Sequence, residues 1–190
     1  SDYIAEQVGD KGMTLPVTWS GETEGKDRED KDSYKFKFEM VFCASNEVNM
    51  IEYYHNSSFL EYGGSPDKAV RTAFTFVIDK YLKDNGKYNK TEAKVTFPDI
   101  QDVMVLVSNS FSTEASYENQ TKKSVNNTFI AKYLTDYLKR ALEIYFIENP
   151  LDAEKITGQV LANKRARENA ESTRLRVKAQ LTGKIDIANR

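Results

Sequence analysis

Apolar and polar residues alternate from Tyr34 to Met40, and the same period carried on to Phe42 puts Phe36, Phe38, Met40 and Phe42 on one side. A period of two is the signature of a half-buried strand. Val48 to Tyr54 reads as a partner strand, with Ser45-Asn46 supplying the turn between them. Leu15 to Trp19 reads as another strand, and the continuous apolar run Val103 to Val107 as a strand central in a sheet. Ahead of these, Tyr3, Ile4 and Val8 fall at helical spacing, as the end of a short helix. Ser65-Pro66-Asp67 combines a Ser N-cap, a Pro in the first turn and an early acidic residue, and so predicts a helix start. That helix continues through Val70, Phe74, Val77, Ile78, Tyr81 and Leu82 and stops near Asn85-Gly86. A second long helix runs from about Asn127 to Glu148, with Ile130, Leu134, Tyr137, Leu138, Ala141 and Tyr145 as its stripe. Asn149-Pro150 ends it and opens a third helix. Its apolar seam is narrow (Ile156, Val160, Leu161) and is followed by Lys164, Arg165, Arg167, Arg174, Arg176 and Lys178. So thin a seam suits a projecting helix. The order of elements predicts an α+β sandwich, one sheet with helices on one face, and a trailing helical arm.

Charge sharpens this picture. Residues 1–40 carry six Lys/Arg against ten Asp/Glu, a net of −4, while residues 151–190 carry nine against five, a net of +4. The acidic part includes the polar run Gly21 to Asp32, which shows no apolar period and reads as an exposed loop between strands. The net charge of −2 over 190 residues excludes a wholly basic nucleic-acid coat. There is no apolar run of membrane-spanning length and no leader-like N-terminus, so a soluble, cytoplasmic chain without membrane contact is expected. The single cysteine, Cys43, rules out an internal disulfide and any Cys-cluster metal site. His55 is the only histidine, so a Ser–His–Asp or Cys–His nucleophile has few parts to draw on. No Walker A loop, dinucleotide glycine fingerprint or H-E-x-x-H helix occurs. A complete enzyme is not expected within these residues.

Several segments, in order, resemble one family. Gly63-Gly64-Ser65-Pro66 with Arg71-Thr72-Ala73 resembles the G-G-T-H…F-R-A-A segment in the transducer region of type IIA DNA topoisomerase B subunits, those of DNA gyrase and topoisomerase IV. Gln120-Thr121-Lys122 resembles the Q-T-K loop of that region. Asn149 to Ala153 followed by Lys164-Arg165-Ala166-Arg167-Glu168 is similar to the family's N-P-x-D-A…A-R-A-R-E arm. Tyr3 to Val8 resembles the segment closing the ATPase domain, and Leu181 to Ala188 the approach to the TOPRIM domain. The family histidine after Gly-Gly is Pro66 here.

The resemblance implies a ribosomal-S5-domain-2-like fold. It divides the chain into the end of an ATPase domain or linker (1–12), a transducer (13–149) and a helical arm toward TOPRIM (150–190). It implies ATP and Mg2+ held mainly by the absent ATPase domain, and a fragment inactive alone. The implied partners are DNA, the topoisomerase A subunit and a second copy of the B subunit. Carried over, Lys122 senses the γ-phosphate, as the catalytic contribution of this region, with Gln120 beside it. A lysine suits that task because its compact charge sits on a long flexible stem. Arg71, Lys164, Arg165 and Arg167 become candidates to face DNA. Each has a plainer reading: Lys122 as a solvated loop lysine, Arg71 as the ion-pair partner of Asp67 four residues before it, and the basic helix as a solvated interdomain element. A nucleic-acid-binding or interaction module of similar fold is the alternative function. His55 is expected at a strand end, and the Phe36, Phe38, Phe42, Tyr53, Tyr54 and Phe59 cluster as core.

Overall fold

A computed structural model describes residues 2–116 and 124–188. Gln120 and Lys122 lie outside the described residues. The elements in chain order are α1 (Asp2–Val8), β1 (Val17–Gly25), β2 (Tyr34–Ala44), β3 (Met50–His55), β4 (Ser58–Phe59), β5 (Gly63–Gly64), α2 (Ser65–Asp84), α3 (Phe97–Gln101), β6 (Met104–Ser112), β7 (Ser124–Val125), α4 (Thr128–Glu148) and α5 (Pro150–Ala188).

The alternating residues of β2 do form a strand, in a mixed five-stranded sheet of order β1-β2-β6-β3-β4. β2 is antiparallel to β1 and β6, and β3 is parallel to β6. Phe36, Phe38, Met40 and Phe42 point to one face, where α2 and α4 cover them. Trp19 anchors this core, stacked on Phe42 and edge-on to Phe74 and Tyr145. The short parallel pair β5–β7 sets the starts of α2 and α4 side by side. The two helices then run together, tied by Ser65 Oγ to the Asn127 carbonyl and, about four turns further along, by the Lys80–Glu143 ion pair. The architecture is α+β, with the main helices on one face of the sheet. α1 lies on the other face, where Ile4 and Val8 pack on Val41, Cys43 and Val105.

Three local expectations are corrected. β3 does not pair with β2. The turn at Ser45 forms, its hydroxyl accepting from the Glu47 and Val48 amides. However, β6 inserts between the two strands, because Met104, Val105 and Leu106 are buried on both faces and require neighbours on both sides. Second, the polar run from Gly21 is strand as far as Gly25. Glu22 and Glu24 face outward, opposite Lys37 and Lys35, while Gly21, Thr23 and Gly25 face α4. The run has a period of two, written in charged and small residues instead of apolar ones. Third, Gly64 caps α2 in place of Ser65, whose hydroxyl is turned to α4.

Glycine at 25 is required by close approach. A Cβ there would sit 2.3 Å from the ring of Phe129, and one at Gly21 would sit 2.6 Å from the hydroxyl of Tyr133. The aromatic residues of α4 thus rest directly on the backbone of β1.

Candidate functional site

Residues on both sides of 117–123 are held by a compact polar cluster. β6 ends at Ser112, and α4 opens at Thr128 after Asn127. The Ser116 amide donates to Asn127 Oδ1 at 2.8 Å, and the Asn126 amide donates to the Ser116 carbonyl at 2.6 Å. These two bonds draw the flanks of the Gln120–Lys122 segment together. Asn127 is only 2% exposed, so its amide must be satisfied by protein. Its Nδ2 donates to Asp27 Oδ2 at 2.9 Å. Asp27 Oδ1 accepts from the Phe129 amide at 3.0 Å and from the Tyr34 hydroxyl at 2.6 Å. Burial pushes the Tyr34 phenol well above its ordinary range, and the Asp27 carboxylate adds to the rise.

A second cluster joins α5 to the body. Of α5, Ala153, Ile156, Thr157, Val160, Leu161 and Lys164 are buried, and the helix is exposed from Asn169 to Lys184. Lys164 is fully enclosed, with its ammonium 2.9 Å from Glu92 and 3.1 Å from Glu168. Arg165 grips both oxygens of Glu92, Nη2 to Oε1 at 2.8 Å and Nε to Oε2 at 3.0 Å. These bonds, led by Arg165, hold the Glu92 carboxyl far below the usual carboxylate range. One turn on, Arg167 binds Asp99 at 2.8 Å. Asp99 itself closes a capping box with Thr96 at the start of α3. Burial opposes ionisation of Asp99, but Arg167 and the Thr96 donors overcome it and its pKa falls.

Lys164, Arg165 and Arg167 are thus brought together against residues 87–101, and each is paired with a carboxylate. The enclosed Lys164 belongs to the packing between α5 and the body, not to an open basic surface. Arg71 pairs with Asp67 at 2.7 Å and lies over the ring of Phe97 at 4.6 Å. The acids Asp27, Glu92 and Asp99 escaped the sequence reading. Thr96-Phe97-Pro98-Asp99 carried a readable capping signal, whereas Asp27 was one acid within a charge run and Glu92 had no local signature. Among the described residues, no three His, Cys, Asp or Glu side chains converge as a metal site, and no helix is long and apolar enough to cross a membrane.

The family model for DNA gyrase B matches residues 1–175. The DNA gyrase B protein of Campylobacter jejuni is 23% identical over 76% of this chain and 19% of its own length. That of Mycoplasma pneumoniae is 26% identical over 75% of this chain and 22% of its own. The chain spans about a fifth of the length of these relatives. Among solved structures, the 43K ATPase domain of Thermus thermophilus gyrase B, in complex with an aminocoumarin, superposes with a TM-score of 0.75 at 19% identity, over 91% of this chain and 44% of that one. The topoisomerase IV ATP-binding domain of Francisella tularensis gives 0.62 at 19% identity, over 77% and 39%. The fold is therefore shared with gyrase B, and the family match over most of the chain decides membership: the protein belongs to the DNA gyrase B family.

Proposed function

We propose that this chain is the transducer of an ATP-dependent type IIA DNA topoisomerase, in its ATPase-bearing B subunit, relaying nucleotide state to the DNA gate during strand passage. The observation that carries the reading is mechanical. A sheet-and-helix body holds, at one end, both flanks of the segment bearing Gln120 and Lys122, and is clamped by the buried Lys164–Glu92 pair and the half-exposed Arg167–Asp99 pair to a 39-residue helix that leaves it. A body of this kind passes on a displacement as a unit, since packed cores shift between discrete arrangements and do not deform smoothly.

In this reading Lys122 contacts the ATP γ-phosphate and Gln120 lies beside it. The contact exists with the triphosphate and is lost when the γ-phosphate leaves, which is the differential binding a switch requires. A lysine so placed also stabilises charge that develops on the phosphoryl group. ATP and Mg2+ are held by an ATPase domain outside this chain, in a cytoplasmic enzyme with an A subunit and a second copy of the B subunit. DNA contact falls to the part-exposed guanidiniums of Arg71, Arg165 and Arg167, while Lys164 serves the junction with α5. Lys122→Ala in the full-length protein is expected to lower ATP turnover at least about a hundredfold, comparable to removing a preorganised charge-stabilising group. It should leave circular dichroism unchanged. Unaltered turnover would refute the sensor role.

A further inference from the structure

The segment between β1 and β2 makes one long-range attachment that local structure does not explain. Most of its charges are satisfied nearby: Lys26 pairs with Glu29, and Arg28 with Asp30. Asp27 instead reaches across about a hundred residues of sequence to the first turn of α4, through Asn127, the Thr128 hydroxyl and the Phe129 amide. We propose that Asp27 is a positioning residue, whose carboxylate fixes the Asn127 amide and the start of α4 and thereby sets the base from which the Gln120–Lys122 segment departs. This rests on the reading of Lys122 as the nucleotide sensor.

The polarity of the amide is the core of the argument. An Asn side chain offers donors on one side and an acceptor on the other. Because Asp27 accepts from Nδ2, the oxygen of Asn127 is left facing the Ser116 amide, which it binds at 2.8 Å. A neutral amide at position 27 can accept on one side only: with its NH2 toward Asn127 it opposes another NH2 and turns the Asn127 amide away from Ser116, and with its NH2 toward α4 it opposes the Phe129 amide and loses that bond. Water cannot repair the loss at a side chain this buried.

Asp27 also supplies what α4 lacks. Asn127, its N-cap, makes no side-chain cap bond, and Asp27 Oδ1 takes the Phe129 amide in its place. An anion at a helix N-terminus is favoured by the aligned peptide dipoles as well. The carboxylate is itself braced, since the Tyr34 hydroxyl donates to it and the Tyr34 ring lies edge-on to Phe129, which rests on Gly25.

The test is an exchange of acid and amide. In the full-length protein, Asp27→Asn is expected to speed amide hydrogen exchange of peptides covering 116 and 124–131 by roughly tenfold, the scale of a lost helix cap. ATP turnover should fall by a similar factor. The double variant Asp27→Asn with Asn127→Asp restores every donor and acceptor with the roles reversed, and should recover both readouts; Asp27→Ala alone should recover neither. If exchange does not change in Asp27→Asn, or the swap fails to rescue, the positioning role is overturned. If exchange speeds up yet turnover holds while Lys122→Ala abolishes it, the sensor stands and Asp27 does not position it. If Lys122→Ala leaves turnover intact, the sensor reading fails, and the role of Asp27 in sensing fails with it.

Discussion

His55 shows how a residue with no catalytic pattern still shapes behaviour. It sits at the end of β3, fully buried, with Nδ1 2.7 Å from Ser110 Oγ and Nε2 2.9 Å from Ser112 Oγ. Each ring nitrogen thus meets a serine hydroxyl that also has a carbonyl within reach, Tyr54 for Ser110 and Glu114 for Ser112. Burial lowers its pKa from 6.5 to about 4. As pH falls through 6.5 the unfolded chain takes up a proton that the native state refuses until about 4. Stability is therefore full above pH 6.5 and declines by about 3 kcal/mol on the way down to 4. Urea midpoints measured across that range should show the decline, and His55→Gln should flatten it. An equal slope in the variant would contradict this account. Gly25 is the other decisive position. Gly25→Ala drives a methyl into Phe129 and is expected to cost about 1–3 kcal/mol in urea unfolding. Neither effect was visible in the sequence, since both depend on which residues the fold sets opposite them.

At the scale of elements, long periodic segments were legible. α2, α4 and the apolar seam of α5 stand where their spacing put them, because a stripe of 3.6-residue period can be buried in only one way. Strand pairing was less legible. Partners are chosen by both faces at once, and the doubly buried β6 displaced the simpler hairpin. The junction of α5 with the body is where charge replaces apolar contact. Glu92→Gln leaves the enclosed Lys164 with Glu168 alone and deprives Arg165 of its bidentate partner. The expected loss is about 3 kcal/mol, the low end for breaking a buried pair, because Glu168 remains. Chemical denaturation measures it, and a loss under about 1 kcal/mol would mean the pair behaves as a surface one. Of the acids paired with Arg71, Lys164, Arg165 and Arg167, Asp67 and Glu168 lie four residues away on the same helix and were legible, whereas Glu92 and Asp99 are placed opposite their partners only by folding.

For the molecule as a whole, the parts form a chain of attachments. The Asp27–Asn127 cluster anchors one end, the aromatic core joins β1 to α4, and the Glu92 and Asp99 pairs hold the base of a helix that is exposed from Asn169 to Lys184. Such a chain can report, at the far end of α5, what happens near the start of α4. The most direct measurement is a structure of the full-length protein with a nonhydrolysable ATP analogue. The account predicts the Lys122 ammonium about 3 Å from a terminal phosphate oxygen, a charge-assisted hydrogen bond. A Lys122 side chain turned to solvent in that complex, with the phosphate held wholly by other residues, would contradict it.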